Sequence, residues 1–377
     1  MRRPILLSFL FLSAGLSYAQ LDNRVFEDRR NVEETDSNKL FLGINVLGFS
    51  KDNEYDHYRN PVITGYTLFG YQFSPYLSYH VTKNIRVEGG IYLQKDFGNS
   101  QFSTVAPIFS VKYQKNSFSL IFGNLESSLN HRLIEPLYNF ERVLNNRLEN
   151  GLQLQVMRDD LFLDAWIDWQ KMIYFNDPQQ EALTAGLNIS KRIVNGRSTQ
   201  LTVPVQLVAH HQGGQINYKF NGPIETIVNS ALGLEVKHQS AGLVRETRLN
   251  GFYVYYKSLT PDLLQPFKDG SGAYFNATVS TKYGLDVMGS FWYGHEFVTV
   301  EGGRIYPSVS VSNYTQQHHL MKLFIVRFLY NIKVREGLYA TARIEPYYDF
   351  YFKSVQTSYG VYLNFRDRFF LGTRRKQ

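Results

Sequence analysis

Cysteine is absent from all 377 residues, which excludes a lipid-anchored lipoprotein and a disulfide-stapled secreted domain. Long apolar runs are missing as well. Ile5 to Leu16 falls short of the roughly 18 apolar residues that a spanning helix needs, and no later run reaches that length. No basic stripe stands out: Lys and Arg exceed Asp and Glu by 40 to 33, but the excess is diffuse, with a small cluster at Arg374-Arg375-Lys376. Nucleic acid is therefore not an expected partner. Catalytic signatures are scarce too, with no G-x-S-x-G, H-E-x-x-H, P-loop or G-x-G-x-x-G.

What is present points to export and to strands. Arg2 and Arg3, the apolar run 5–16 and the small-x-small site Ser17-Tyr18-Ala19 form an expected signal peptide over 1–19. Residues 20–38 are charged, nearly balanced and poor in apolar side chains, as in a flexible periplasmic leader too short for a plug domain. Beyond them, 27 Tyr, 28 Phe and 3 Trp make the chain 15% aromatic, although it is hydrophilic on average. That combination is expected where strands show one face to lipid and the other to water.

Period-two alternation and turn residues predict about sixteen strands between residues 40 and 365, the last over 355–365. Leu161, Leu163, Ala165 and Ile167 share one face of a strand whose other face carries Asp164 and Asp168. Short Gly-, Asn- or Asp-bearing links fall near 82–84, 115–116, 158–160, 195–196, 240–242, 282–284 and 335–336. They alternate with longer polar links at 50–62, 95–101, 125–147, 171–181, 212–228, 258–271 and 297–318. Short turns on one side and long loops on the other predict an all-β fold: a transmembrane antiparallel up-and-down barrel over 39–371, in the outer membrane, followed by a basic periplasmic tail at 372–377.

Two resemblances add to this reading. Ser358-Tyr359-Gly360-Val361-Tyr362-Leu363-Asn364-Phe365 resembles the signal by which the barrel assembly machinery recognises outer-membrane barrels. The layout, with a long third outward link at 125–147, resembles the Gram-negative porins, and the aromatic-rich style resembles barrels of Bacteroidota. In porins the third loop folds into the pore. Here that link contains Leu137, Phe140, Leu144 and Leu148 at helical spacing behind Pro136, which predicts an amphipathic helix.

The porin resemblance implies passive diffusion of small hydrophilic solutes, with Arg132, Glu135, Glu141, Arg142 and Arg147 at the constriction. Wall charges at two-residue spacing point into the same lumen: Arg86 and Glu88, Glu235 and Lys237, Glu246 and Arg248, Arg343 and Glu345, joined by Asp164 and Asp168. They would either tune ion preference or pair with one another on the wall. No catalytic residue, metal or cofactor is expected, and the neighbours His210-His211, His295-Glu296 and His318-His319 read as rim residues. Two other classes stay open: a barrel component of a secretion or surface-assembly complex, and a lipid hydrolase, which would need Ser and His on adjacent strands facing one way. Outer-membrane lipid is an expected partner, and a homo-oligomer is compatible with the outer wall.

Overall fold

The computed structural model describes residues 26–27, 31–56, 60–126, 131–174, 177–214, 223–260, 264–310 and 315–373. The predicted signal peptide at 1–19 and positions 374–377 of the basic tail lie outside them. Sixteen strands follow a short 3-10 turn at Glu34–Asp36. They are β1 Lys39–Glu54, β2 Tyr66–His80, β3 Ile85–Asp96, β4 Thr104–Lys115, β5 Phe118–Asn124, β6 Asn150–Met157, β7 Leu161–Lys171 and β8 Glu181–Asn195, then β9 Thr199–Gly213, β10 Glu225–Gln239, β11 Val244–Ser258, β12 Asp269–Thr281, β13 Leu285–His295, β14 Leu320–Arg335, β15 Leu338–Asp349 and β16 Ser354–Thr373. Each pairs antiparallel with its sequence neighbours, and β1 closes the barrel on β16.

Every expected strand forms, because most place polar residues inward and apolar residues outward. On β12, Gly270, Gly272, Tyr274, Asn276, Thr278 and Ser280 are buried while the alternate residues face out. The last strand runs further than expected, to Thr373, since Phe369 and Phe370 pair with Leu42 and Phe41 across a register shift beside Leu40. The outer wall is the lipid surface: Phe275 is 55% exposed, Val355 67% and Leu363 52%.

The lumen is filled rather than open. Segments 131–149 and 296–310 fold inward, and Leu133, Ile134, Leu137, Tyr138, Phe297, Tyr306 and Val309 join inward side chains of the wall in one buried cluster. Met321, Leu323 and Ile325 of β14 belong to it, which explains why that strand is apolar on both faces. Each such large side chain contributes about 1.5–3 kcal/mol by leaving water. A second cluster places Phe26, ahead of the first strand, against Phe140 and Tyr362, with ring centroids 5.4 and 5.1 Å away.

The expected helix is much shorter than its spacing suggests, a single α turn at Arg142–Asn145, α1. His131 and Arg132 take left-handed backbone conformations, with φ of 50° and 58°, ahead of it. Local turns, such as the Tyr138 amide on the Ile134 carbonyl at 3.0 Å, satisfy part of the remaining backbone and the wall supplies more: Asn188 Nδ2 donates to the carbonyls of His131 and Arg132 at 2.9 Å each. Gln72 Nε2 likewise donates to the carbonyls of Val143 and Leu144, at 2.9 and 3.1 Å. Leu137, Phe140 and Leu144 are buried as their pattern predicted.

Candidate functional site

Nearly all the charged residues singled out in the sequence face the lumen, and the plug brings many of them together. Glu135 bonds Arg327 and accepts from Tyr306 Oη at 2.8 Å. Glu141 accepts from Tyr66 and from Asn53 Nδ2 at 3.2 Å, with Lys51 Nζ at 3.4 Å. Arg142 bonds Glu301, Arg132 lies 3.9 Å over the ring of Phe162, and Arg147 reaches Gln72 at 3.4 Å. On the wall, Arg343 and Lys51 meet Glu345 at 2.7 and 2.9 Å, and Lys237 meets Glu246 at 2.7 Å, beside Arg248. Arg86 is 3.2 Å from Glu88 and 2.7 Å from Glu126, which also holds Lys112 at 2.6 Å. Glu235 is buried with one carboxylate oxygen unpartnered.

The tightest of these groups centres on a residue that sequence reasoning passed over. His131 Nδ1 meets Asp164 Oδ2 and its Nε2 meets Glu149 Oε2, each at 2.9 Å, while its ring stacks on Trp166 at 3.6 Å. Burial alone would push the imidazole down, but Glu149 and Asp164 outweigh it and raise its pKa to about 9. Glu301 shows the converse balance: burial pushes its carboxyl up, yet Arg142, with bonds from His210 and Thr184, holds it down to about 2. Asp168 accepts from the Asn150 amide at 2.7 Å and lies 3.9 Å from Arg142. His131 is fully buried and its exchangeable positions are occupied, so this cluster anchors the plug.

Chemistry open to lipid lies on the outer wall, at the extracellular ends of β12 and β13. Ser271 and His295 are direct cross-strand partners at outward positions of strands whose alternate residues are buried. Opposed side chains of this kind have Cβ atoms roughly 4.5–5.5 Å apart. The two are opposed rather than hydrogen-bonded, as catalytic pairs often are before substrate closes the gap. Asp269 lies outward two residues along β12, on the diagonal to His295 and about 7–8 Å away by ordinary sheet spacing.

Local backbone explains why His295 stays outside while the next residues go in. Glu296 adopts φ 52° and turns the chain, so that Phe297 packs inside against Trp292 at 5.1 Å. Gly270 makes the turn possible: a Cβ there would lie 2.1 Å from the Glu296 carbonyl oxygen. The Glu296 side chain is held by His319 Nδ1 at 2.7 Å. Below Ser271 and His295 the outward pairs are Ala273 with Tyr293, Phe275 with Phe291, Ala277 with Gly289 and Val279 with Val287, an apolar column reaching into the membrane. A second outward pair, His211 Nδ1 to Thr226 Oγ1 at 2.8 Å, joins β9 and β10.

A closed sixteen-stranded barrel with a lipid-facing apolar wall and long loops at one end is an outer-membrane β-barrel protein. The family described as lipid A 3'-O-deacylase-type matches residues 32–374, and the chain belongs to that family. No protein of curated function matches the sequence. Among solved structures, the outer-membrane protein OprD from Pseudomonas aeruginosa is 9% identical with a TM-score of 0.52, covering 91% of this chain and 96% of that one. OccAB4 of Acinetobacter baumannii is 10% identical with a TM-score of 0.50, over 88% and 99% of the two chains. OmpT of Vibrio cholerae is 8% identical with a TM-score of 0.51, over 88% and 100%. At such identities these likenesses show the fold alone.

Family membership corrects the functional expectation. A porin-like diffusion channel, a barrel component of a secretion complex and the absence of enzyme activity are all overturned, because the family is one of hydrolases acting on lipid A. The barrel itself stands; what fails is the inference from barrel layout to solute passage. Layout constrains the wall and the loops, whereas activity resides in particular side chains on them.

Proposed function

We propose that the protein is an outer-membrane hydrolase that removes an ester-linked acyl chain from lipid A, with its reacting groups on the outer wall at the extracellular rim. Family membership over residues 32–374 carries the activity, and the cross-strand opposition of Ser271 and His295 carries the residue assignment. An acylated glycolipid of the outer leaflet places its ester bonds between headgroup and chains, the depth at which this pair tops the apolar column. Ser271 Oγ attacks the ester carbonyl while His295 accepts its proton. The sugar oxygen leaves and takes that proton from His295, forming an acyl-serine. Water, deprotonated by His295, then releases the fatty acid and restores Ser271. Asp269, on the diagonal to His295, offsets the charge that His295 gains through space.

The test is mass spectrometry of lipid A incubated with the refolded protein in detergent micelles. Wild type is expected to remove one ester-linked chain. Ser271→Ala and His295→Asn should each lower the rate by about 10³-fold or more, the usual scale for losing a nucleophile or its base. Thr226→Ala should retain the rate. No chain loss from wild type overturns the activity; full activity in Ser271→Ala overturns the assignment and turns attention to His211 and Thr226.

A further inference from the structure

We infer that the rim carries a subsite for an anionic sugar headgroup, formed by Lys257 and Lys322 on either side of Ser271 and His295, and that the ligand it takes is phosphate on the sugars of the glycolipid substrate. This deepens the hydrolase reading above and rests on it.

The four residues lie on consecutive strands, near the loop ends. Lys257 is the residue before the end of β11, Ser271 the third of β12, His295 the last of β13 and Lys322 the third of β14. The register steps along this ring: Lys257 pairs with Asp269, Ser271 with His295, and Tyr293 with Lys322. Three strand spacings across and four residues along separate the two lysine Cα atoms by on the order of 20 Å. Long lysine arms reaching inward leave an interval that a disaccharide spans, with the Ser–His pair between its ends.

The charges on this face favour an anion. Lys322 Nζ lies 5.5 Å over the Tyr293 ring, and among the described residues no carboxylate pairs with it. A lysine on the lipid-facing wall without a protein counter-ion is costly away from the interface and favourable where lipid phosphate meets it. Among the described residues Lys257 Nζ reaches one carboxylate oxygen, Asp269 Oδ2, at 3.3 Å, and both side chains stay exposed to further partners. Glu296, next after β13, is engaged by His319. A phosphate-bearing headgroup would complete Lys322 on one side and share Lys257 on the other, holding the intervening sugar ester against Ser271.

Two arms test the subsite, both in micelles of neutral detergent. The first compares kcat/KM for lipid A bearing phosphate with that for the same lipid A enzymatically dephosphorylated. Wild type should prefer the phosphorylated form by about tenfold or more, equivalent to one good charged contact. In Lys257→Met/Lys322→Met that ratio should collapse to about one, and arginine at both positions should restore it. An unchanged ratio, or an equal fall with both substrates, overturns the subsite and leaves the lysines as general interfacial anchors. The second arm measures partition of the Ser271→Ala protein into micelles carrying either lipid. If wild type hydrolyses nothing but this protein still prefers the phosphorylated lipid and the lysine variant does not, the subsite stands while the hydrolase reading falls. No preference in either arm overturns the subsite.

Discussion

At position 131 the chain buries an imidazole between two carboxylates, and the consequences are local and measurable. Protonated His131 neutralises part of the charge of Glu149 and Asp164, and Asn188 fixes its carbonyl. Because the folded pKa, about 9, lies above the ordinary 6.5, the stabilisation is fully present below pH 6.5 and disappears as pH rises through 9. Glu301 behaves oppositely: its folded value of about 2 makes its contribution complete above pH 4.5, lost only as pH falls through 2. His131→Leu removes the cation and leaves two buried carboxylates facing an apolar group, which should cost about 3–5 kcal/mol. Thermal unfolding across pH 6 to 10 checks this. Wild type should lose stability toward pH 10, whereas the variant should start lower and change less; parallel curves would show that His131 does not carry the pH dependence. Sequence reading could not reach this residue, because alternation says nothing of a plug side chain whose partners come from the wall.

The elements were largely legible. Alternation located all sixteen strands, since a lipid-facing side and a polar side leave a period of two that survives ordinary variation. It also placed Asp164 and Asp168 inward, as observed. Ser271 and His295 were legible as outward residues only once register was known: they are separated by a turn and two strand lengths, and neither Gly270-Ser271-Gly272 nor His295-Glu296 matches a catalytic motif. The helix expected in 125–147 shrinks to one turn because Leu137, Phe140 and Leu144 keep their spacing to meet the barrel wall, while backbone bonds are shared among local turns, Glu301, Gln72, Asn188 and Gln206. In planar bilayers, wild type should pass little current, given that plug and wall side chains share one buried cluster. Removing 131–145 should raise conductance several-fold while heat-modifiable migration shows the barrel intact. Conductance that stays the same after the deletion would mean that this segment does not fill the lumen.

On the scale of the whole molecule, the filled interior and the chemistry outside have complementary roles. Inward polar clusters and the plug stiffen the wall, and a stiff wall keeps β12 and β13 in the register that opposes Ser271 and His295. The substrate then arrives laterally, because its acyl chains belong in the apolar layer against Ala273, Phe275 and Gly289 while its sugars lie at the rim. Orientation must therefore decide activity. In proteoliposomes sorted by whether the long loops face out or in, lipid A added only to the external leaflet should be deacylated when the loops face out and remain intact when they face in. Dissolving both samples in detergent should equalise their rates, since micelles erase the leaflet distinction. Equal rates before detergent would place the reacting groups away from the extracellular rim, in the lumen or at the periplasmic turns. Loss of the difference in Ser271→Ala, with the wild-type difference intact, ties the sidedness to the outer-wall pair rather than to lipid delivery.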